Sequence, residues 1–201
     1  STIYSGDRPK TAIGSIKRIE EQTDGKQMSI SSYRYSGDRT VLSYEEMNSY
    51  CNRAIKLNPN CKLTLILMQV NDMESYMKNE GSGFVQDLLQ SVQDTVRRHV
   101  GHRGIVCPLQ PNLMSVVVQD INSDIKLRAF IESLRSRIAW NYRLIDPKYE
   151  ISFSFGVACY PENGMDMRIV HRKLVKALQM AQEKHANCYV IYKEHLHGEL
   201  S

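Results

Sequence analysis

Lys62-Leu-Thr-Leu-Ile-Leu-Met-Gln-Val-Asn-Asp72 is the stretch whose reading decides the fold. Up to Val70 it is a nearly continuous run of residues that suit a strand, and it stops at a polar cluster of Gln69, Asn71 and Asp72. A strand with one wet face alternates apolar and polar residues. A continuous apolar run of this length marks a strand covered on both faces, and such strands lie in mid-sheet. Polar groups at the end of a central strand, just before a helix, are where α/β proteins commonly place ligand chemistry. Function therefore depends on what Gln69 to Asp72 can do.

Outward from this strand, the pattern on both sides is legible. From Ser43 to Leu57 the residues Tyr44, Met47, Tyr50, Cys51, Ala54, Ile55 and Leu57 recur at three and four, which predicts an amphipathic helix ended by Asn58-Pro59-Asn60. Downstream, Gly81-Ser82-Gly83 breaks the chain. Phe84, Val85, Leu88, Leu89, Val92 and Val96 then mark a helix closed by Gly101. Ile105 to Leu109 and Leu113 to Val118 are short apolar runs around Gln110-Pro111-Asn112, which reads as a hairpin. Ile125, Phe130, Ile131, Leu134 and Ile138 give a further helix. Ile151 to Cys159 alternates large Ile151, Phe153, Phe155 and Val157 with small Ser152, Ser154, Gly156 and Ala158, so its second face is expected to be closely covered. Pro161-Glu162-Asn163-Gly164 turns the chain into a helix from about Asp166 to Lys184, and Cys188 to Tyr192 is a last strand. The expected order is helix, strand, helix, hairpin, helix, strand, helix, strand.

The 201 residues, 42% hydrophobic and 24% charged, are enough for one good core. One main domain, residues 43–196, is expected between an N-terminal arm or linker, 1–42, and an exit linker, 197–201. The arm is polar and carries Tyr-Ser-Gly-Asp-Arg twice, at 4–8 and 35–39, with Gly-Asp suggesting a turn each time. Within it Thr11 to Ile19 could form a strand, and the arm reads as the tail of a preceding domain. No apolar run approaches the roughly 18 residues that span a bilayer, and no signal peptide is visible. The expectation is a soluble, cytoplasmic segment without membrane contact, or the cytoplasmic part of a membrane-bound protein. Cys51, Cys61, Cys107, Cys159 and Cys188 are odd in number and scattered, as reduced core thiols are. The net charge of +4 neither demands nor excludes a nucleic-acid partner, and none is assigned.

Ser154-Phe-Gly-Val-Ala-Cys-Tyr-Pro-Glu-Asn-Gly164 resembles the Ser-Ile-Gly-Val-Ala-x-Tyr-Pro-x-x-Gly segment of the GGDEF domain, the diguanylate cyclase module of bacterial signalling proteins. Ala177-Leu178-x-x-Ala181 followed by Asn187 is similar to the late helix and Gly-Arg-Asn turn of that family, and the likeness covers roughly residues 40–194. It implies an α/β (α+β) fold of the nucleotide-cyclase, ferredoxin-like kind: a central, mostly antiparallel five-stranded sheet flanked by helices.

Family members join two GTP molecules into cyclic di-GMP, each domain of an antiparallel pair holding one GTP with two divalent metals. Phosphoryl transfer of this type needs carboxylates, because magnesium is a hard cation that takes oxygen ligands. The resemblance places the first carboxylate at Gln69, with Val70 and Met73 beside it. It places the signature hairpin on Gln110, Pro111, Asn112, Leu113 and Met114. An amide oxygen is neutral, proline removes a donor and fixes φ, and Asn112 with Leu113 brings no negative charge. The guanine-reading positions fall on Met77 and Gln86, and the phosphate-binding cations on Gln182 and Ala186. The product-inhibition positions fall on Gly101 and Gly104. Backbone amides near Asp72 and Met73 could face a phosphate, which Asp72 and Glu74 would repel.

These residues are thus expected to be a vestigial pocket with no catalytic residue, no metal and no cofactor. The chain is expected to be an inactive regulatory module of cyclic di-GMP signalling. Its expected neighbours are a sensory domain such as PAS before it and an EAL phosphodiesterase domain after it, and it could form a homodimer. GTP binding without cyclisation, and a cyclase with rebuilt ligands, are the alternatives. Asp72 with Asn71 and Gln69 reads either as an altered metal site or as a cap for the next helix. His99 with His102, and His195 with His197, have spacings that metals sometimes use, yet surface histidines explain them as well. Met68, Met73, Met77 and Met114 are expected to fill the pocket. Arg97, Arg98, His102 and Arg103 read as a solvated helix end. Trp140 and Tyr142 belong to a domain edge or an interface.

Overall fold

The computed structural model describes residues 44–121, 123–143, 151–184 and 187–198. The arm, including the strand expected at Thr11 to Ile19, lies outside the described residues. The elements are α1 (Tyr44–Leu57), β1 (Leu63–Val70), α2 (Met73–Glu80), α3 (Ser82–Val100), β2 (Gly104–Gln110), β3 (Leu113–Gln119), α4 (Asp124–Arg143), β4 (Phe153–Tyr160), α5 (Met167–Glu183), β5 (Cys188–Ile191) and α6 (Glu194–His197). A 3-10 turn, Gly101–Arg103, joins α3 to β2.

The five strands lie in the order β2-β3-β1-β4-β5. β1 is central, antiparallel to β3 on one side and to β4 on the other, while β4 and β5 run parallel through the α5 crossover. A parallel neighbour needs a crossover of this kind, and α5 supplies it. Because side chains alternate along a strand, Ile66, Met68 and Val70 face one layer and Leu63, Leu65 and Leu67 the other. The first set packs with α2, α3 and α4, the second with Met47 and Cys51 of α1 and the apolar stripe of α5. The architecture is helix, sheet, helix, with β1 in the middle of both cores.

Several local choices follow from close packing. A Cβ on Gly156 would lie 2.4 Å from the Leu178 nitrogen and 2.7 Å from the Leu174 oxygen, so α5 rests directly on the backbone of β4. This is the close cover that the small face of β4 predicts. Pro108 sits in β2, an edge strand, where proline is tolerated, and the register shifts between Pro108 and Gln110. α1 stops where Asn58 N–H donates to Ala54 O (2.9 Å) and the Asn58 side chain accepts from Asn60 N–H (3.1 Å).

Three details differ from the sequence expectation. An eight-residue helix, α2, which the expected order of elements did not contain, stands between β1 and the Gly81-Ser82-Gly83 break, and Gly81 alone separates it from α3. β4 begins at Phe153, with Ile151 and Ser152 buried but outside the ladder, and a short helix, α6, follows Tyr192. Among the described residues no helix is long and apolar enough to cross a membrane.

Candidate functional site

The C-terminal end of β1 is where the sheet, the β2–β3 hairpin and the last turn of α5 meet. Gln69 is half-buried there, opposite Leu113 of β3 and Ser154 of β4. Its side-chain oxygen accepts a hydrogen bond from the Gln182 amide of α5. Val70 is buried; its N–H donates to Asn112 O at 2.9 Å, and its carbonyl accepts from Asn112 Nδ2 at 3.3 Å. Pro111 is itself buried, so the hairpin turn is folded against the domain instead of standing away from it. Gln69, Val70, Asn112, Leu113 and Gln182 are therefore brought together.

Beyond Val70 the chain turns sharply. Asp72 adopts the left-handed conformation (φ 61°) at the start of α2, and its side chain makes no capping bond; its carbonyl accepts from Tyr76 N–H at 3.0 Å. The capping reading of Asp72 holds for position and not for the side chain, which is exposed. Burial, and secondarily the Asp72 carboxylate, push the Tyr76 phenol above its ordinary pKa.

Asn71 stands out in the sequence as part of the polar cluster, but its partners Ser152 and Ser154 do not. Its Nδ2 donates to Ser152 Oγ (2.9 Å) and Ser154 Oγ (3.0 Å), Ser154 Oγ lies 3.2 Å from Asn71 Oδ1, and Asn71 N–H donates to Ser152 O (2.9 Å). Asn187, left-handed with φ 52°, continues the network: its Oδ1 accepts from Phe153 N–H (2.9 Å), its N–H donates to Ser152 Oγ (3.3 Å), and its carbonyl accepts from Arg135 (2.6 Å). Ser152, just before β4, and Ser154 within it supply the hydroxyls, and their partner Asn71 lies more than 80 positions away in the chain.

Other expected site residues lie further out. Met73 begins α2 and is buried, as are Met68 and Met114, while Met77 is partly buried against the same core, so these thioethers fill the layer beneath the site. Gln110 pairs with Leu113 to close the hairpin, and Gln86 is half-buried on α3. Ala186 lies outside the described residues. Gly104 is required by the sheet, since a Cβ there would lie 1.8 Å from Val117 O, and Gly101 (φ 55°) ends α3.

The first histidine pair is split between interior and surface, while His195 and His197 share α6. His99 is buried, with its ring 3.2 Å from Phe130 O and 4.6 Å from the Phe130 ring, and burial holds its pKa below the ordinary value. His102 is exposed. His197 takes a backbone N–H through Nδ1 (3.0 Å). Burial pushes the thiols of Cys51 and Cys159 up to about 12 and about 11, which keeps them protonated and unreactive near neutral pH. Trp140 is exposed on α4, and the side chain of Tyr142 is outside the described residues.

Amide and hydroxyl groups are the donors gathered around Gln69. Magnesium prefers anionic oxygen, so this set fits the ion poorly. Among the described residues, no group of three His, Cys, Asp or Glu side chains is placed to hold a metal.

The fold and this strand-end site place the chain among known domains. The model of the family "Diguanylate cyclase, GGDEF domain" matches residues 39–188, and the chain belongs to that family. It is similar to the diguanylate cyclase/phosphodiesterase of Caldicellulosiruptor saccharolyticus (19% identity, TM-score 0.64, covering 78% of this chain and 92% of that one). It is also similar to the active GGEEF domain of a diguanylate cyclase from Vibrio cholerae (15%, 0.64, 75% and 94%). A third is the GGDEF domain of DgcB from Caulobacter crescentus, solved in complex with c-di-GMP (13%, 0.65, 79% and 98%). At these identities the structures share the fold. An uncharacterised protein of Synechocystis is 18% identical over 142 residues, and the match spans only 20% of that protein's length.

Proposed function

We propose that this GGDEF domain is a catalytically inactive, regulatory or signal-transducing module within a larger bacterial protein of cyclic di-GMP signalling. The observation that carries the reading is the Gln69–Gln182 side-chain bond. Where the resemblance calls for a metal-binding carboxylate on one side and a phosphate-binding cation on the other, two neutral amides engage each other. Neither can neutralise the charge of a triphosphate or of its metal. Pro111, buried in the signature turn, and Asn112, tied to Val70, act in the same direction.

In this reading the vestigial pocket is Gln69, Val70, Asp72, Met73, Met77, Gln86, Asn112, Gln182 and Ala186. The domain is cytoplasmic, spans residues 43–196, and acts through its neighbours: a sensory domain joined by the arm 1–42, an EAL phosphodiesterase domain reached through 197–201, or a second copy. The Caldicellulosiruptor relative, described as a diguanylate cyclase/phosphodiesterase, supports such a neighbourhood.

The test is direct. Purified chain incubated with GTP and magnesium yields no cyclic di-GMP by chromatography, and Gln69→Asp alone does not restore synthesis, because the turn lacks its carboxylate too. Cyclic di-GMP made by the unaltered chain would overturn the reading.

A further inference from the structure

At the far end of the β4–β5 pair from Asn71, the backbone leaves the sheet through a heavily tied segment. Tyr192 N–H donates to Val157 O (2.8 Å), its carbonyl accepts from Asn163 Nδ2 (3.4 Å), and its hydroxyl donates to His197 O (3.3 Å). The Lys193 ammonium lies 3.0 Å from Asp124 at the start of α4 and 3.0 Å from Glu162 in the β4–α5 turn. Lys173 of α5 pairs with Glu194 and sits 5.5 Å over the Tyr192 ring.

Beside the backbone bonds Leu196 N–H to Lys193 O (3.1 Å) and Gly198 N–H to Glu194 O (2.8 Å), two bonds join Lys193 to His197 and close α6 on itself. His197 N–H donates to Lys193 O (2.8 Å), and Lys193 N–H donates back to His197 Nδ1 (3.0 Å). The second resembles the reach-back of a capping box, in which a side chain takes the N–H that begins a helix. A helix of four residues has no stability of its own, so α6 exists only while such bonds hold it. Nδ1 can accept only from a neutral ring whose proton is on Nε2. Once protonated, it presents N–H to N–H.

We propose that Tyr192–Gly198 is a proton-operated clasp: neutral His197 locks the outgoing backbone against α5, and protonated His197 releases it. The surrounding charges suit this role. Lys184 at the C-cap of α5, His195 of α6 and Lys176 of α5 act electrostatically on the ring, each disfavouring its protonation. The nearby carboxylates are engaged elsewhere, Glu194 with Lys173, and Asp124 and Glu162 with Lys193. Burial first, then those cations, hold the His197 pKa below 6.5. A group lowered in the folded state binds its proton more readily when released. The clasp is therefore closed at and above neutral pH and weakens as pH falls through the ring's own titration.

The experiment is an amide-exchange and ring titration by NMR on the whole chain. Between about pH 8 and about pH 5, protection of the Lys193 amide, corrected for intrinsic exchange, should fall about tenfold with the same midpoint as the His197 ring. His197→Asn keeps an acceptor at the Nδ1 position but does not titrate, and its Lys193 protection should be independent of pH, while His195→Gln should behave as the parent. Protection that survives protonation of His197, or an equal pH-dependent loss in His197→Asn, would overturn the proposal.

Discussion

Adding one methyl group at Gly156 tests how tightly the two layers fit. The new carbon would meet the backbone of α5 at 2.4 Å, and backbone cannot step aside as a side chain can. Gly156→Ala should cost about 1–3 kcal/mol, read as a lower urea midpoint at unchanged slope. Asn71 offers a polar counterpart. Asn71→Ala strips the Ser152 and Ser154 hydroxyls of their shared partner and should destabilise by about 1–3 kcal/mol. His171 supplies a pH dependence. It is buried on α5, and burial takes its pKa down to about 4. The unfolded chain, with the ordinary value near 6.5, binds the proton first. Stability from this residue is complete above about pH 6.5 and drains away toward pH 4, by up to about 3 kcal/mol. His171→Leu should flatten that part of the stability–pH curve, and an unchanged slope would contradict the assignment.

Elements show why some features were legible and others were not. β1 was legible because a strand buried on both faces writes an uninterrupted apolar run, and β4 because its large and small residues alternate with its two covers. The α2 helix was not. It has eight residues and only Met73, Tyr76 and Met77 facing the core, too short a stripe for periodicity to declare. Gly81 is the residue that divides it from α3, with φ 85° and ψ 177°, a conformation few side chains tolerate. Gly81→Ala should therefore destabilise by about 1–3 kcal/mol although open space surrounds the position, a cost of backbone and not of contact. A silent Gly81→Ala in thermal melts would show that the α2–α3 joint is not held in this conformation. The candidate site was half legible. Resemblance pointed to Gln69, Asn112 and Gln182, and they converge. The Asn71–Ser152–Ser154–Asn187 network joins residues more than 80 positions apart in the chain, and no local pattern announces it.

At the scale of the molecule, β4 and β5 form one bar with Asn71 and Asn187 bonded at one end and the Lys193 junction at the other. A domain acting as the proposed regulatory module would carry a mechanical signal along such a bar, provided both ends have alternative states. Whether the cleft grips nucleotide is the question on which the whole reading rests. Any ligand that binds only the folded state must raise its melting temperature by mass action. The most direct measurement is the melting temperature of the chain with millimolar GTP and magnesium, against magnesium alone. With Gln69 and Gln182 paired as neutral amides and no carboxylate at Asn112, no shift is expected; a rise of several degrees that depends on both GTP and magnesium would contradict it.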